Sequence, residues 1–524
     1  MKKSIIYFSL AVMVISLNYS CKKDFLDSKH DGLPVPGTDY PITVQNFESL
    51  TTALYGLVSA EYIESGDFVA CDAGDDVTTS PGGGKIGYLE FDIFSAHDNN
   101  ALIWKAWDTR YAVIKQSNDI INSINLQLAD PNYTEEALQH FKNRTLGQAY
   151  FLRALAYFDL VRTFGQVPLI TKVEVNYTEP KAEFKDIYDT IISDLKNAET
   201  LLPPVYGAVS DLTSVEKNTA YARPSSGSAK SLMASVYLTM AGYPLKDPSN
   251  YALAAAKAKE VIDNEAAYGY QLMPENQLWS WQYNSAAISN AEGVFTTFFN
   301  RYSPATGYNG NEITSSQSPS EMGGWNDYFA ELNFYNEFPA GIRKDVTFIS
   351  AVVSNNGKVI TPWQNFTTKH PHYAKYAWAE GLDSLNMDKG FGDWWSDRTV
   401  PVIRYAEVLL VYAEAQAMAD GSPNALAYKS LNRVRERAGE EDMKTGLSGT
   451  IFRDSVINER KWEFAGIEPN ARWFDEVRTE TVASSTAKRS PNDVPLVGKP
   501  DDVTHTFYFA PIPASEKQLN PNLQ

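Results

Sequence analysis

Ala149-Tyr150-Phe151-Leu152-Arg153-Ala154-Leu155-Ala156-Tyr157-Phe158-Asp159-Leu160-Val161-Arg162-Thr163-Phe164-Gly165 is the stretch on which the reading of the fold turns. Between 146 and 161 the residues Leu146, Ala149, Tyr150, Ala154, Tyr157, Phe158 and Val161 recur with a 3.6-residue period, which is the mark of a helix. Leu152, Leu155 and Leu160 widen the apolar stripe, so the helix is expected to be covered on two sides. Gly165 stops it and Pro168 follows.

Working outward, the same periodicity predicts helices at about 102–126, 184–202, 226–242, 249–265, 404–420, 424–438 and 450–466. Short links such as Gly242-Tyr243-Pro244 and Asp420-Gly421-Ser422-Pro423 favour antiparallel helical hairpins. Alanines at 413, 415, 417 and 419, and again between 252 and 258, let helices approach closely, in the manner of tetratricopeptide packing. No clean 34-residue period accompanies them. The segment from about 268 to 395 is different: Gly, Asn, Ser and Pro interrupt it, strands should be short, and no long helix is expected. It holds Trp279, Trp281, Trp325, Trp363, Trp378, Trp394 and Trp395, seven of the chain's 11 tryptophans. Long irregular segments within a domain are more often functional than accidental.

With 524 residues, 44% of them hydrophobic and 21% charged, the chain can bury a substantial core. Its net charge of -18 and pI near 4.9 argue against nucleic acid, whose phosphates require a dense cationic face.

At the N-terminus, Lys2 and Lys3 precede an apolar run from Ile5 to Leu17, and Ser20-Cys21 follows. This is the shape of a secretory signal, too short to span a bilayer comfortably. A cysteine directly after a small residue at the end of such a run is the lipidation site of bacterial lipoproteins, and Cys21 is read that way, although Asn18 stands where an aliphatic residue is usual. The alternative is a disulfide from Cys21 to Cys71, which would tie down only a mobile terminus.

Catalytic signatures are missing. Pro81-Gly82-Gly83-Gly84-Lys85 has Ile86 where a phosphate loop has Ser or Thr, and no HExxH, CxxC or GxSxG occurs. His370-Pro371-His372 reads as two surface histidines in a turn. No cofactor is expected. Asp72, Asp75 and Asp76 supply oxygen donors of the kind structural calcium takes, but their spacing is not that of an EF-hand. Adjacent Asp75-Asp76 is not itself a glycosidase pair either. Binding asks for less: sugar rings stack on Trp and Tyr while neighbouring polar groups reach the hydroxyls. Two loop regions, 72–100 and 279–325, hold both ingredients, and the candidate ligand-binding residues are Asp75, Asp76, Tyr88, Asn99, Trp281, Tyr302, Tyr308 and Trp325.

Several stretches together resemble the SusD/RagB family of nutrient-binding lipoproteins. They are Cys21-Lys22-Lys23-Asp24-Phe25-Leu26-Asp27, the stretch quoted first with Val167-Pro168-Leu169 after it, and Ala229-Lys230 through Val236-Tyr237-Leu238. Arg404-Tyr405-Ala406-Glu407-Val408-Leu409-Leu410, Asn432-Arg433-Val434-Arg435, Asn458-Glu459-Arg460, Arg472-Trp473-Phe474-Asp475 and Pro511-Ile512-Pro513 continue the series. Gly466-Ile467-Glu468-Pro469-Asn470 departs from the family's usual turn before Arg472.

The resemblance implies a mainly α fold: a tetratricopeptide-like helical hairpin scaffold over about 44–265 and 400–480, carrying a loop-rich binding half over about 268–400. Residues 1–20 would be the signal peptide, 21–43 the lipidated tether, and 44–524 the SusD-like domain. It further implies attachment to the outer membrane at the cell surface, no catalysis, and partnership with a SusC-like TonB-dependent transporter to which a glycan or oligosaccharide is delivered. Peptide capture by the same scaffold, a glycoside hydrolase and a pure interaction scaffold are the competing readings.

Overall fold

The computed structural model describes residues 42–60, 62, 74–79, 86–173, 176, 178–283, 290–299, 310–377, 384–389, 395–466, 468–469 and 472–524. The signal segment, Cys21, nearly all of the tether, Asp72, Cys71, Tyr302 and Tyr308 lie outside the described residues.

The scaffold is built from helices α1 Val44–Ala60, α2 Ala101–Gln127, α3 Glu135–Phe164, α4 Phe184–Leu201, α5 Ser226–Ala241, α6 Asn250–Asp263, α7 Tyr405–Asp420, α8 Ala425–Arg437, α9 Gly449–Glu463 and α10 Arg472–Arg478. Helix α3 begins well before 146 because Thr134 caps it, its hydroxyl accepting from Ala137 N at 3.2 Å, with Glu135 and Glu136 suited to the positive end of the helix dipole. It ends where periodicity places the end, at Gly165, whose φ of +74° an L side chain would resist. Helix α1 is an element that the periodicity reading did not assign. It buries Val44, Phe47, Leu54 and Val58, spaced three, seven and four apart, against α2.

Each scaffold helix from α1 to α7 packs on the next, and α7 also packs on α8 and α9. The contact between α6 and α7 continues the array although residues 264–404 intervene, so the loop-rich half is an excursion from a continuous helical stack. Small residues make the close approach possible: Ala229, Ala234, Ala254, Ala258, Ala413 and Ala417 are all fully buried.

From Arg144 onward α3 is covered on nearly every face, and its buried arginines find partners inside the protein. Arg144 forms two bonds of 2.7 and 2.8 Å to Glu216, Arg153 two of 2.7 Å to Asp194 and one of 2.6 Å to Asn118. The Arg162 guanidinium lies 3.9 Å from the ring centres of both Phe158 and Phe474. The motif that decided the reading therefore holds helices together.

Among the described residues the loop-rich half has no helix longer than six residues, and the strands of the molecule pair as short antiparallel ribbons, one of which joins this half to the first loop region. These are β1 Val77–Thr79 with β3 Tyr328–Ala330, β2 Gly293–Thr297 with β8 Val400–Arg404, β4 Phe348–Ile349 with β7 His372–Tyr373, and β5 Ala351–Ser354 with β6 Val359–Pro362. The β2–β8 ribbon roots the excursion: β8 runs directly into α7, and Ser228 Oγ of α5 donates to Val294 O at 2.7 Å. Besides the main core, this half has a small core of its own, made of Met322, Ile349, Val352, Phe366, Ala374, Ala377 and Met387.

Candidate ligand-binding site

The fold separates the eight sequence-chosen residues. Asp75 and Asp76 are turned inward: Asp75 Oδ1 is 3.1 Å from Arg472 Nε, with Lys461 at 3.8 Å, and Asp76 Oδ2 accepts from Gly466 N at 2.7 Å. The backbone carbonyl of Asp76 receives the Tyr373 hydroxyl at 2.6 Å and Glu331 N at 3.0 Å. Burial opposes ionisation of Asp75, yet Arg472 and Lys461 hold its carboxyl down at about 2; burial together with the charge of Asp75 pushes Asp76 up to about 7. These acids are correctly described as a buried joint: Asp76 ties the first loop to the turn after α9, and the cation they face is a guanidinium. Tyr88 is likewise buried, edge-on to Tyr328 at 6.0 Å. Asn99 is exposed, but its loop belongs to the scaffold, where Ala514 N donates to Asp98 O at 2.8 Å and Lys517 pairs with Asp98 at 3.2 Å. Trp281 lies in a short 3-10 turn, Trp281–Tyr283, in the loop-rich half.

The histidine pair also differs from expectation, because both rings are buried. His370 Nε2 sits 2.5 Å from Asp493 Oδ1, and His372 Nδ1 sits 2.7 Å from Gln317 O with Nε2 3.0 Å from Thr368 Oγ1. Burial pushes His372 down to about 4, so its imidazole is neutral near pH 7. Among the described residues no group of three His, Cys, Asp or Glu is placed to hold a metal ion.

Trp325 remains partly exposed. It sits on a turn fixed by its own backbone: Trp325 N donates to Ser315 O at 2.8 Å, Ser320 N to the Asn326 side chain at 2.8 Å, and Asp327 N to Ser316 O at 2.9 Å. At Gly324 an added Cβ would lie 2.1 Å from Ser318 O, so glycine is needed for the close approach. The β1–β3 ribbon, in register Thr79 to Tyr328, joins this turn to the first loop region.

The structure adds an aromatic that the composition argument had counted but not singled out. Trp363 follows β6, is half-buried, and meets Tyr335 edge-on at 6.0 Å. It packs on the same small core that Met322, three residues before Trp325, helps to form. The two turns are bridged by Glu321, which accepts from Thr367 N at 2.7 Å and Thr367 Oγ1 at 2.9 Å. Partly exposed tryptophans on turns joined by a carboxylate and a hydroxyl can offer stacking faces and hydrogen bonds together. Trp363 follows the short apolar run Val359-Ile360, and burial decides which rings stay open.

A network of buried charge ties the loop-rich half to the scaffold. Arg404, at the end of β8, reaches Glu292 at 2.7 Å, Glu463 at 2.6 Å and Glu468 at 2.7 Å; Arg437 reaches Glu275 at 3.0 Å and Glu292 at 2.9 Å; Arg343 reaches Glu459 at 2.6 Å. Burial opposes the charge on Glu463, but Arg437, Arg404 and Arg343 outweigh it and hold the carboxyl far below its ordinary value. Glu275, with less cationic company, is pushed up by burial to about 7.

Comparison with known proteins agrees with this architecture. Residues 350–524 match the model of the SusD family, and residues 24–238 match a SusD-like family described as starch-binding and associating with the outer membrane. SusD-like protein P2 of Formosa agariphila is 30% identical over 458 residues, covering 83% of this chain and 82% of its own. A SusD superfamily crystal structure from Parabacteroides distasonis superposes with a TM-score of 0.71 at 25% identity, over 91% of this chain and 98% of that one. A laminarin-binding SusD-like protein superposes with a TM-score of 0.70 at 21% identity, over 91% and 97%.

Proposed function

The chain belongs to the SusD family, and from that premise we propose that it binds a glycan or oligosaccharide at the outer-membrane surface and hands it to a SusC-like TonB-dependent transporter. The observation that carries the binding half of this reading is the pair of partly exposed tryptophans, Trp325 and Trp363, on turns bridged by the Glu321–Thr367 hydrogen bonds. The family description as starch-binding and outer-membrane-associating supports the ligand class and the location. Trp281, Tyr302 and Tyr308 belong to the same irregular half by sequence and complete the proposed surface, whereas Asp75, Asp76 and Tyr88 serve the fold. The anchor is the lipidated Cys21 and the role is capture without bond cleavage. Among the described residues no helix is long and apolar enough to cross a membrane.

Isothermal titration with starch-derived and laminarin-derived oligosaccharides, alongside a peptide panel, tests the binding claim. Heat with a sugar that Trp325→Ala reduces supports it; silence across the sugars with heat from peptides replaces it with peptide capture. Release of new reducing ends by the purified protein would overturn the non-catalytic reading. Radiolabelled palmitate entering the wild-type chain but not Cys21→Ala is the result expected of the anchor.

A further inference from the structure

A second cleft lies on the scaffold, remote in sequence from the loop-rich half. It has a volume of about 270 Å³, and its walls are α2, the segment from Pro168 to Val173, and the C-terminal helix Ala514–Leu519 with the turn Pro521–Leu523. Trp107, Tyr111, Ile114, Ile170, Leu519 and Leu523 make its interior largely apolar. None of its lining residues falls between 268 and 400.

Most polar groups around the cleft are committed to the protein. The Tyr111 hydroxyl donates to Pro168 O at 2.8 Å, the Asn118 amide to Ile170 O at 3.0 Å, and the Asn520 amide to Glu179 O at 2.7 Å. Asp108, which is exposed, and Glu516, which is half-buried and accepts from Trp107, have no cation partner among the described ion pairs. Burial raises the carboxyl of Glu516, the nearby charge of Asp108 raises it further, and a hydrogen bond from Trp107 offsets part of the effect. The other charges on the lining are Glu179, Lys115, which is engaged by Asp119 at 3.3 Å, and Lys172, which is exposed. At the rim Val173 and Leu519 are 50% and 73% exposed, and Trp104, one turn before Asp108 on α2, is 47% exposed. Apolar side chains gathered around a cleft mark a contact surface for another macromolecule.

We infer that this cleft docks a segment of a partner protein that inserts aliphatic side chains together with a lysine, whose ammonium comes to rest between Asp108 and Glu516. Charge complementarity selects the occupant: an apolar wall ending in two like charges without a counter-ion is relieved by a cation on an aliphatic stem. Size agrees, because clefts for small ligands run from about 300 to 1,000 Å³, and this one is better matched to a few side chains than to an oligosaccharide. The inference is independent of the glycan reading, since the two surfaces share no residue named for either.

The probe is a fluorescently labelled synthetic pentapeptide carrying two leucines around one lysine, compared with the same peptide bearing norleucine in place of lysine. Fluorescence anisotropy with the full chain is expected to show the lysine peptide binding at least about tenfold more tightly. Asp108→Asn combined with Glu516→Gln should erase that difference while the melting temperature and any glycan titration stay as in the wild type. Leu519→Ser should weaken both peptides. Equal affinity for the two peptides, or a lysine preference that survives the double substitution, overturns the proposal; so does loss of lysine binding on adding a glycan that the loop-rich half binds.

Discussion

The stretch from Tyr150 to Phe164 and the turn around Trp325 are both rich in aromatic side chains, yet they do opposite things. On α3 the rings are largely covered by neighbouring elements: Phe151 lies edge-on to Phe295 of β2 at 4.9 Å, Phe164 edge-on to Trp107 of α2 at 5.2 Å, and Tyr157 is wholly buried. At the turn, backbone hydrogen bonds and a glycine hold the chain, so the Trp325 ring is left partly open. Packing uses up aromatic surface where helices supply cover on several sides. It leaves surface available where a loop is stabilised by its own backbone.

The largest blow to that division should come from Arg404→Met. It leaves Glu292, Glu463 and Glu468 buried around one missing guanidinium, and denaturant unfolding is expected to show a loss of about 3–5 kcal/mol. Arg153→Met on α3 should cost an amount of the same order by stranding Asp194, without changing ligand affinity beyond what unfolding explains.

Proton linkage comes next. Asp76, Glu275 and Glu331 have carboxyls raised to about 7, 7 and 8, chiefly by burial, with Asp493 adding to the effect at Glu331. A raised folded pKa gives stability that is whole below the unfolded value, near 4, and is lost as pH climbs through the folded value. Asp75 and Asp475, lowered to about 2, act in the other sense and lose their contribution as pH falls from about 4 to 2. Melting temperature should therefore peak near pH 4–5 and decline toward pH 8, and Asp76→Asn should flatten the neutral limb. A profile rising steadily to pH 8 would contradict the inward placement of these acids.

Smaller effects sharpen the ligand side. Trp325→Ala should weaken glycan binding by about 1–3 kcal/mol with an unchanged melting temperature. Trp363→Ala should cost about 1 kcal/mol of binding, together with a modest loss of stability from the small core it touches.

Much of this was legible beforehand. The predicted helix at 102–126 is Ala101–Gln127, that at 184–202 is Phe184–Leu201, and that at 404–420 is Tyr405–Asp420, because a helix is specified by contacts three and four residues apart. Arg472 and Trp473 are buried, as their place in a helical family motif suggests. The candidate site was less legible. Asp75 reads as a ligand donor until Arg472, 397 residues later, is brought beside it. Tyr88 reads as a loop aromatic until Tyr328 covers it, and Trp363 gave no local sign that its ring would stay partly open.

By itself the sequence determined the helices of the stack, their stops and caps, and the irregular middle, since each of these is written in neighbours a few positions apart. Tertiary structure alone decided which charges became buried joints and which rings stayed partly exposed. Ion pairing and burial depend on segments hundreds of residues apart meeting in space, and no local spacing encodes that meeting.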